Sequence, residues 1–198
     1  MARHTDSTSE TAAPLIPTMR DRMVAGQPYV VDGTVRVALT RGQERADLFN
    51  ETTGEDPETR RALLRDLLGS LGEGVEVRGP VHIDVGRNLH LGARTFVNAN
   101  LVALDRAPIR VGEGVQIGPN VQLLTPVHPL DPAKRRDGWE GAEPVTIGDN
   151  VVLGGGVIVC PGVTIGDDTV VGAGSVVASD LPAGVLAVGN PAKVIRQL

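Results

Sequence analysis

The chain has 198 residues, only 2% of them aromatic, and a formal net charge of −5. That length suits one domain with a small appendage, and a core short of aromatics but rich in Val, Leu, Ile and Ala must be narrow and regular. The scattered basic residues and negative balance argue against nucleic acid as a partner, no apolar run approaches a membrane span, and the single Cys160 cannot close an internal disulfide.

Residues 1–17, "MARHTDSTSETAAPLIP", are rich in Ser, Thr and Ala and lack the apolar stretch of a signal peptide. They read as a disordered tail on a cytoplasmic protein. Residues 18–73 read as helical. In "GTVRVALTRGQERADLFNETT", Val35, Val37, Leu39, Ala46, Leu48 and Phe49 stand among charges. "DPETRRALLRDLLGSLG" is a cleaner helix. Asp56 is its N-cap, Pro57 takes the first helical position, Leu63, Leu64, Leu67 and Leu68 form one stripe, and Gly69 or Gly72 ends it.

From Gly74 onward the apolar period becomes six. One row is Val85, Leu91, Val97 and Ala103; a second is Val111, Ile117 and Leu123; a third is Ile147, Leu153, Val159, Ile165, Val171 and Val177. A companion apolar residue lies two positions earlier in most units. Four residues of each unit make a short strand and two make a turn; both apolar positions point inward because strand side chains alternate. Gly, Asn or Asp at the turn accepts backbone angles that a β-branched residue refuses. Three units close a triangular coil of about 18 residues, and stacked coils make a parallel β-helix, a repeat architecture whose units bury their apolar faces only against one another. A β-sandwich of short strands is the competing fold, and it does not hold a strict period of six.

The rows also locate the breaks. Ala103 to Val111 is eight residues, so "DRAP" carries a two-residue insertion. Leu123 to Ile147 spans 24 residues, yet "PVHPLDPAKRRDGWEGAEP" (126–144) has no inward row. It reads as an excursion loop with His128 near its base, and loops on rigid scaffolds are where sites tend to lie.

Several motifs now resemble a known family: "RMVAGQPY" (22–29), "VHIDVGRNLHLG" (81–92), "FVNANLVALD" (96–105), "TPVHPLDPAKRRDGWE" (125–140) and the closing "GNPAKVIR" (189–196). They are similar to the hexapeptide-repeat acyltransferases, and more narrowly to the maltose, galactoside and nodulation-type O-acetyltransferases. The resemblance covers residues 18–198. It implies a left-handed parallel β-helix over 74–198, a helical N-terminal cap, a homotrimer, acetyl-CoA as donor with no metal, and a sugar or related small molecule as acceptor.

Residue by residue, the resemblance makes His128 the general base, and a neutral imidazole suits that task at neutral pH. It gives Asn98 a role in holding the acceptor or the developing oxyanion, although turn chemistry alone would also favour Asn in "NAN". Asp84 matches a substrate-contacting position, and Asp105 would orient the sugar or His128; for both, the bland alternative is a solvated turn carboxylate. Glu140 would pair with the base or the acceptor, and Trp139 would cover the acceptor. Gly155 and Ala173 match backbone contacts to coenzyme A. Ala178 and Ser179 stand where the family usually has Thr-Lys, and Val152 where it commonly has Trp. Lys193 and Arg196 would serve the coenzyme's phosphates.

Two other readings remain open at this point. One is a zinc β-helix enzyme of the carbonic anhydrase kind, for which His82, His90 and His128 are available but differently spaced. The other is a non-catalytic β-helix that binds or scaffolds.

Overall fold

The computed structural model describes residues 16–52 and 56–198, so the expected tail lies almost wholly outside the described residues. An N-terminal cap holds helix α1 (Met19–Val24), strand β1 (Tyr29–Val30), α2 (Gly33–Asn50) and α3 (Pro57–Leu67). Each helix begins on a side-chain cap that takes up free amides of its first turn. Thr18 and Asp21 form a capping box, Asp32 accepts from Thr34 and Val35, and Asp56 accepts from Thr59, with Pro57 behind it as the spacing predicts.

Parallel coils follow. Coil one is β2 (Ser70–Leu71), β3 (Glu76–Val77) and β4 (Val81–Ile83); coil two is β5 (Leu89–Leu91), β6 (Phe96–Val97) and β7 (Leu101–Leu104); coil three is β8 (Ile109–Val111), β9 (Gln116–Ile117) and β10 (Gln122–Leu124). The chain then leaves the solenoid through β11 (Pro126–Val127), α4 (Pro132–Arg136) and β12 (Trp139–Ala142). It re-enters as coil four, β13 (Val145–Ile147), β14 (Val152–Leu153) and β15 (Ile158–Val159), and coil five, β16 (Thr164–Ile165), β17 (Val170–Val171) and β18 (Val176–Val177). A last partial coil ends in the hairpin β19 (Val185–Gly189) and β20 (Ala192–Gln197).

The three faces are parallel sheets. The first stacks β2, β5, β8, β13 and β16; the second β3, β6, β9, β14, β17 and β19; the third β4, β7, β10, β15 and β18. Inward residues stack in register, as Val77, Val97, Ile117, Leu153, Val171 and Ala187 do on the second face. Nearly all are sealed from solvent, and each fully buried Leu or Ile contributes about 1.5–3 kcal/mol. At the corners the coils nearly touch. A Cβ at Gly154 would lie 2.5 Å from the Ala173 amide nitrogen, so only glycine fits there.

The structure changes four expectations. The solenoid starts at Ser70, before Gly74, because the Gly69 amide is already bonded to the Leu89 carbonyl of coil two. For the same reason α3 ends at Leu67, without a glycine cap. Val85 leaves the inward row, and Ile83 takes its place opposite Ala103. Val85 packs instead with Met23, Tyr29, Val35, Ala107 and Ala142, a second apolar cluster under the cap. The cap is therefore not simply helical. Its β1 pairs antiparallel with β12 of the excursion, and Gly42 of α2 sits so close to the Asp84 carbonyl that a Cβ would be 2.2 Å from it.

Candidate active site

Three consecutive coils swell at one corner, the one that follows the third face. Ile83 to Leu91 and Ala103 to Val111 each take eight residues, and Leu123 to Ile147 takes 24; below, Val159 to Ile165 takes six. The first insertion was hidden by the misassigned Val85.

Asp105 braces this corner. Its side chain is fully buried, Oδ1 accepts from the Val85 amide at 2.7 Å, and Oδ2 accepts from the Asn88 amide at 3.1 Å. Burial pushes its carboxyl up to about 7, against the pull of those amide donors. Asp105, expected to orient the sugar or His128, has no face open to an acceptor, and its oxygens are taken by backbone amides. Thr125 does the same one coil on, donating to the Leu104 carbonyl at 2.6 Å and accepting from the Ala107 amide at 3.0 Å.

Above the brace lies a charged cluster. Arg106 donates from Nε to Asp84 at 3.0 Å and from Nη1 to Glu140, and reaches the Tyr29 hydroxyl at 3.4 Å; that hydroxyl in turn donates to Glu140 at 3.0 Å. Burial pushes the Tyr29 phenol up to about 12, so it stays a donor. Burial works against the Arg106 charge, but the Tyr29 bond and the charges of Glu140 and Asp84 outweigh it and raise its pKa. Asp84 and Glu140 are thus brought together, through a residue that sequence reasoning had passed over inside "DRAP". Beside Asp84 a cavity of about 130 Å³ opens, lined also by Gln43, Asp47, His82 and Leu104. A larger hollow of about 1010 Å³ lies away from these groups, between the cap helices and coil one, and is lined by Asn50, Arg60 and Arg78.

The excursion is an ordered hairpin. β11 pairs with β12 through Pro126 with Ala142 and Val127 with Gly141, and β12 pairs with β1 through Glu140 with Tyr29 and Trp139 with Val30. His128 follows β11 directly and is exposed. Arg135 of α4 folds back and donates to the carbonyls of Pro129 and Leu130, at 2.7 and 2.6 Å, which fixes the segment after His128. Trp139 is partly covered, with the Arg22 guanidinium 5.7 Å from its ring centre, so a cation lies over the indole that was expected to cover an acceptor.

The other expected residues divide between two edges. Asn98, Gly155 and Ala173 lie at the corner that precedes the third face, where successive turns bond to one another: Asn120 to Ala99, Gly156 to Pro119 and Gly174 to Gly155. There Asn98 accepts from the Ala99 amide at 2.8 Å, while the left-handed turn position falls on Asn100. Ala178 and Ser179 are exposed at the corner that follows this face, the same edge as the excursion. β7, about 10 Å long at ~3.3 Å per residue, separates the two edges. One copy of the chain therefore does not unite Asn98 with His128. Lys193 and Arg196 are exposed on β20, and Val152 is 37% exposed on the second face.

Among the described residues the other two imidazoles lie apart. His82 is exposed on β4 of the third face. His90 is on β5 of the first, bonded to the Ser70 hydroxyl at 3.1 Å, its pKa lowered by burial and by Arg110. Among the described residues no group of three His, Cys, Asp or Glu side chains could hold a metal ion, and no helix is long and apolar enough to cross a membrane.

Residues 22–72 match the maltose acetyltransferase hexapeptide capping motif, and residues 144–179 match the bacterial transferase hexapeptide model of six repeats. Nodulation protein L of Rhizobium meliloti (strain 1021) is 43% identical over 178 residues, which is 89% of this chain and 97% of that protein. Among solved structures, a maltose O-acetyltransferase from Clostridium difficile 630 superposes with a TM-score of 0.89 at 41% identity, covering 91% of this chain and 97% of that one. A galactoside acetyltransferase in complex with coenzyme A gives a TM-score of 0.86 at 36% identity, covering 91% and 90%. The chain belongs to the hexapeptide-repeat acetyltransferases, in the branch that carries the maltose acetyltransferase cap.

Proposed function

We propose that this acetyltransferase moves the acetyl group of acetyl-CoA to a hydroxyl of a sugar or similar small acceptor, with His128 as general base. The observation that carries the reading is the corner at which three coils swell in succession. The other two corners keep the six-residue rhythm, and this corner alone is elaborated, into a braced cluster and a hairpin whose first strand leads straight to an exposed imidazole.

In the proposed reaction the acceptor hydroxyl oxygen attacks the thioester carbonyl carbon while the His128 imidazole takes its proton. The tetrahedral intermediate collapses, the carbon–sulfur bond breaks, and the imidazolium returns the proton to the departing thiolate. The imidazole is neutral again at the end, and no covalent enzyme intermediate is needed. Asn98 and neighbouring amides would steady the oxyanion. Holding both substrates in one groove would supply much of the acceleration.

The division of residues between two edges supports a further part of the reading. A trimer would lay the Asn98, Gly155 and Ala173 edge of one copy against the His128, Ala178 and Ser179 edge of the next, with acetyl-CoA and the acceptor between them. The maltose and galactoside acetyltransferase relatives make carbohydrate hydroxyls the first acceptors to try.

The test is thiol release from acetyl-CoA with a panel of mono- and oligosaccharides, run beside His128→Ala. Wild-type turnover with one acceptor class and a loss of about 10²–10⁴-fold in the variant are expected. Turnover that survives in His128→Ala would sink the mechanism, and none with any hydroxyl acceptor would sink the reaction.

A further inference from the structure

Arg106 joins four parts of the molecule at one charged point, beside the apolar cluster of Val85, Ala107, Ala142 and Tyr29 that joins the same parts. Asp84 belongs to coil one, Arg106 to coil two, Glu140 to the excursion hairpin and Tyr29 to the cap. The three charged side chains are 14–19% exposed, so water screens them little. Two carboxylates converge on one guanidinium. Its planar fork reaches Asp84 from Nε while Nη1 reaches Glu140, a span that the point charge of a lysine does not reproduce. Without that cation, Asp84 and Glu140 would face each other as like charges in a half-dry corner, and the hairpin would be pushed off the coil. Glu140 lies on β12, which pairs directly with β11, and His128 is the next residue after β11.

We propose that Arg106 is a positioning residue: it clamps the hairpin to the solenoid corner and thereby holds His128 at the height of the acceptor. The proposal rests on the acetyl-transfer reading for its kinetic consequence but not for its structural one. Arg106 touches neither thioester nor hydroxyl in this scheme. It acts through Glu140, β12 and β11.

The test uses the full chain with Arg106→Ala, Arg106→Lys and Glu140→Gln. Circular dichroism and light scattering check that each variant keeps the fold and assembly of the wild type. Hydrogen exchange read at the amides of Val127, Gly141 and Ala142 should speed up in Arg106→Ala and less in Glu140→Gln, while amides of coils four and five stay unchanged. Unchanged exchange in the hairpin overturns the proposal, whether or not any acceptor is turned over. With an acceptor in hand, kcat should fall about a hundredfold, as for a catalytic group displaced by about 1 Å, while KM for acetyl-CoA stays put. Millimolar guanidinium should restore turnover to Arg106→Ala and do nothing for His128→Ala. Wild-type kcat in both Arg106 variants, or a fall in which KM for acetyl-CoA rises in step, also overturns it. Should Arg106→Ala fail to fold, Arg106→Lys and Glu140→Gln carry the same readouts.

Discussion

Replacing Asp105 with Ala should destabilise the protein, and by an amount that depends on pH in a direction the structure sets. Two buried amides, Val85 and Asn88, would lose their acceptor. An orphaned buried donor costs about 1–3 kcal/mol, so the gross loss is about 2–6 kcal/mol. Against this stands the burden of the carboxylate itself. Asp105 is sealed from solvent and burial raises its pKa from 3.8 to about 7. Between those values the folded protein keeps a proton that the unfolded chain has released. A group raised in the fold adds stability in full below pH 3.8 and loses it as pH climbs through about 7. From pH 5 to pH 8 the wild type should therefore lose about 3 kcal/mol through this group alone, at about 1.4 kcal/mol per unit over the two units below the folded value. Asp105→Ala has no such proton to lose. The penalty of the substitution should be larger at pH 5 than at pH 8 by about that amount. Urea unfolding by far-UV circular dichroism, at both pH values and one protomer concentration, measures the difference. A penalty that instead grows with pH would mean that the amide donors outweigh burial and hold the carboxyl low, which would refute the argument.

Two substitutions separate contact from backbone strain at the corners. Gly154→Ala should destabilise by about 1–3 kcal/mol or more through overpacking, because its Cβ would meet the Ala173 backbone at 2.5–2.8 Å and pry coils four and five apart. Gly174→Ala meets nothing within 4 Å but sits at φ +71°, so only the left-handed penalty of about 1–2 kcal/mol applies. Thermal melts of the two variants should keep that order.

The period of six was legible because every inward position repeats the same demand: small, aliphatic, and stacked on its twin one coil away. Asn98 and Asn100, two residues apart, show the limit of that legibility. Turn chemistry explains an Asn in the pair, but only the backbone shows that Asn100 takes the left-handed angle. Val85 was misread because the insertion after Ile83 happens to leave an apolar residue on the six-residue beat. What displaces it is the cap, which offers Met23, Tyr29 and Val35 as partners. Arg106 could not be found from periodicity. Its bonds run across 22, 34 and 77 residues, and such contacts leave no periodic trace. A signal did exist, in retrospect: an arginine within an insertion, one coil above an aspartate within another insertion. Asp105 was visible as a residue but not as a brace, since burial of a single carboxylate depends on how the neighbouring corners fold over it.

Under the proposed reading, the width of the third face would tie catalysis to assembly. Asn98 stands at one edge and His128 at the other, with β7 between them. In the proposed trimer each groove takes His128 from one copy and Asn98 from the next. His128→Ala and Asn98→Ala would then be impaired alone, for different reasons, and partly repair each other when mixed. A mixed trimer contains one junction at which an intact His128 faces an intact Asn98. Random mixing in equal amounts makes roughly three quarters of trimers mixed, so about one quarter of all grooves regain both groups. The assay is co-refolding of the two variants from denaturant, followed by thiol release with the best acceptor. Recovery towards one quarter of wild-type turnover is expected, and it should be absent when the folded variants are merely combined without exchange of subunits. Turnover that stays at the sum of the separate variants would mean that each chain builds its groove alone. Asn98 would then have no part in the chemistry of His128, because the strand that separates them is too short to bend and too well paired to move.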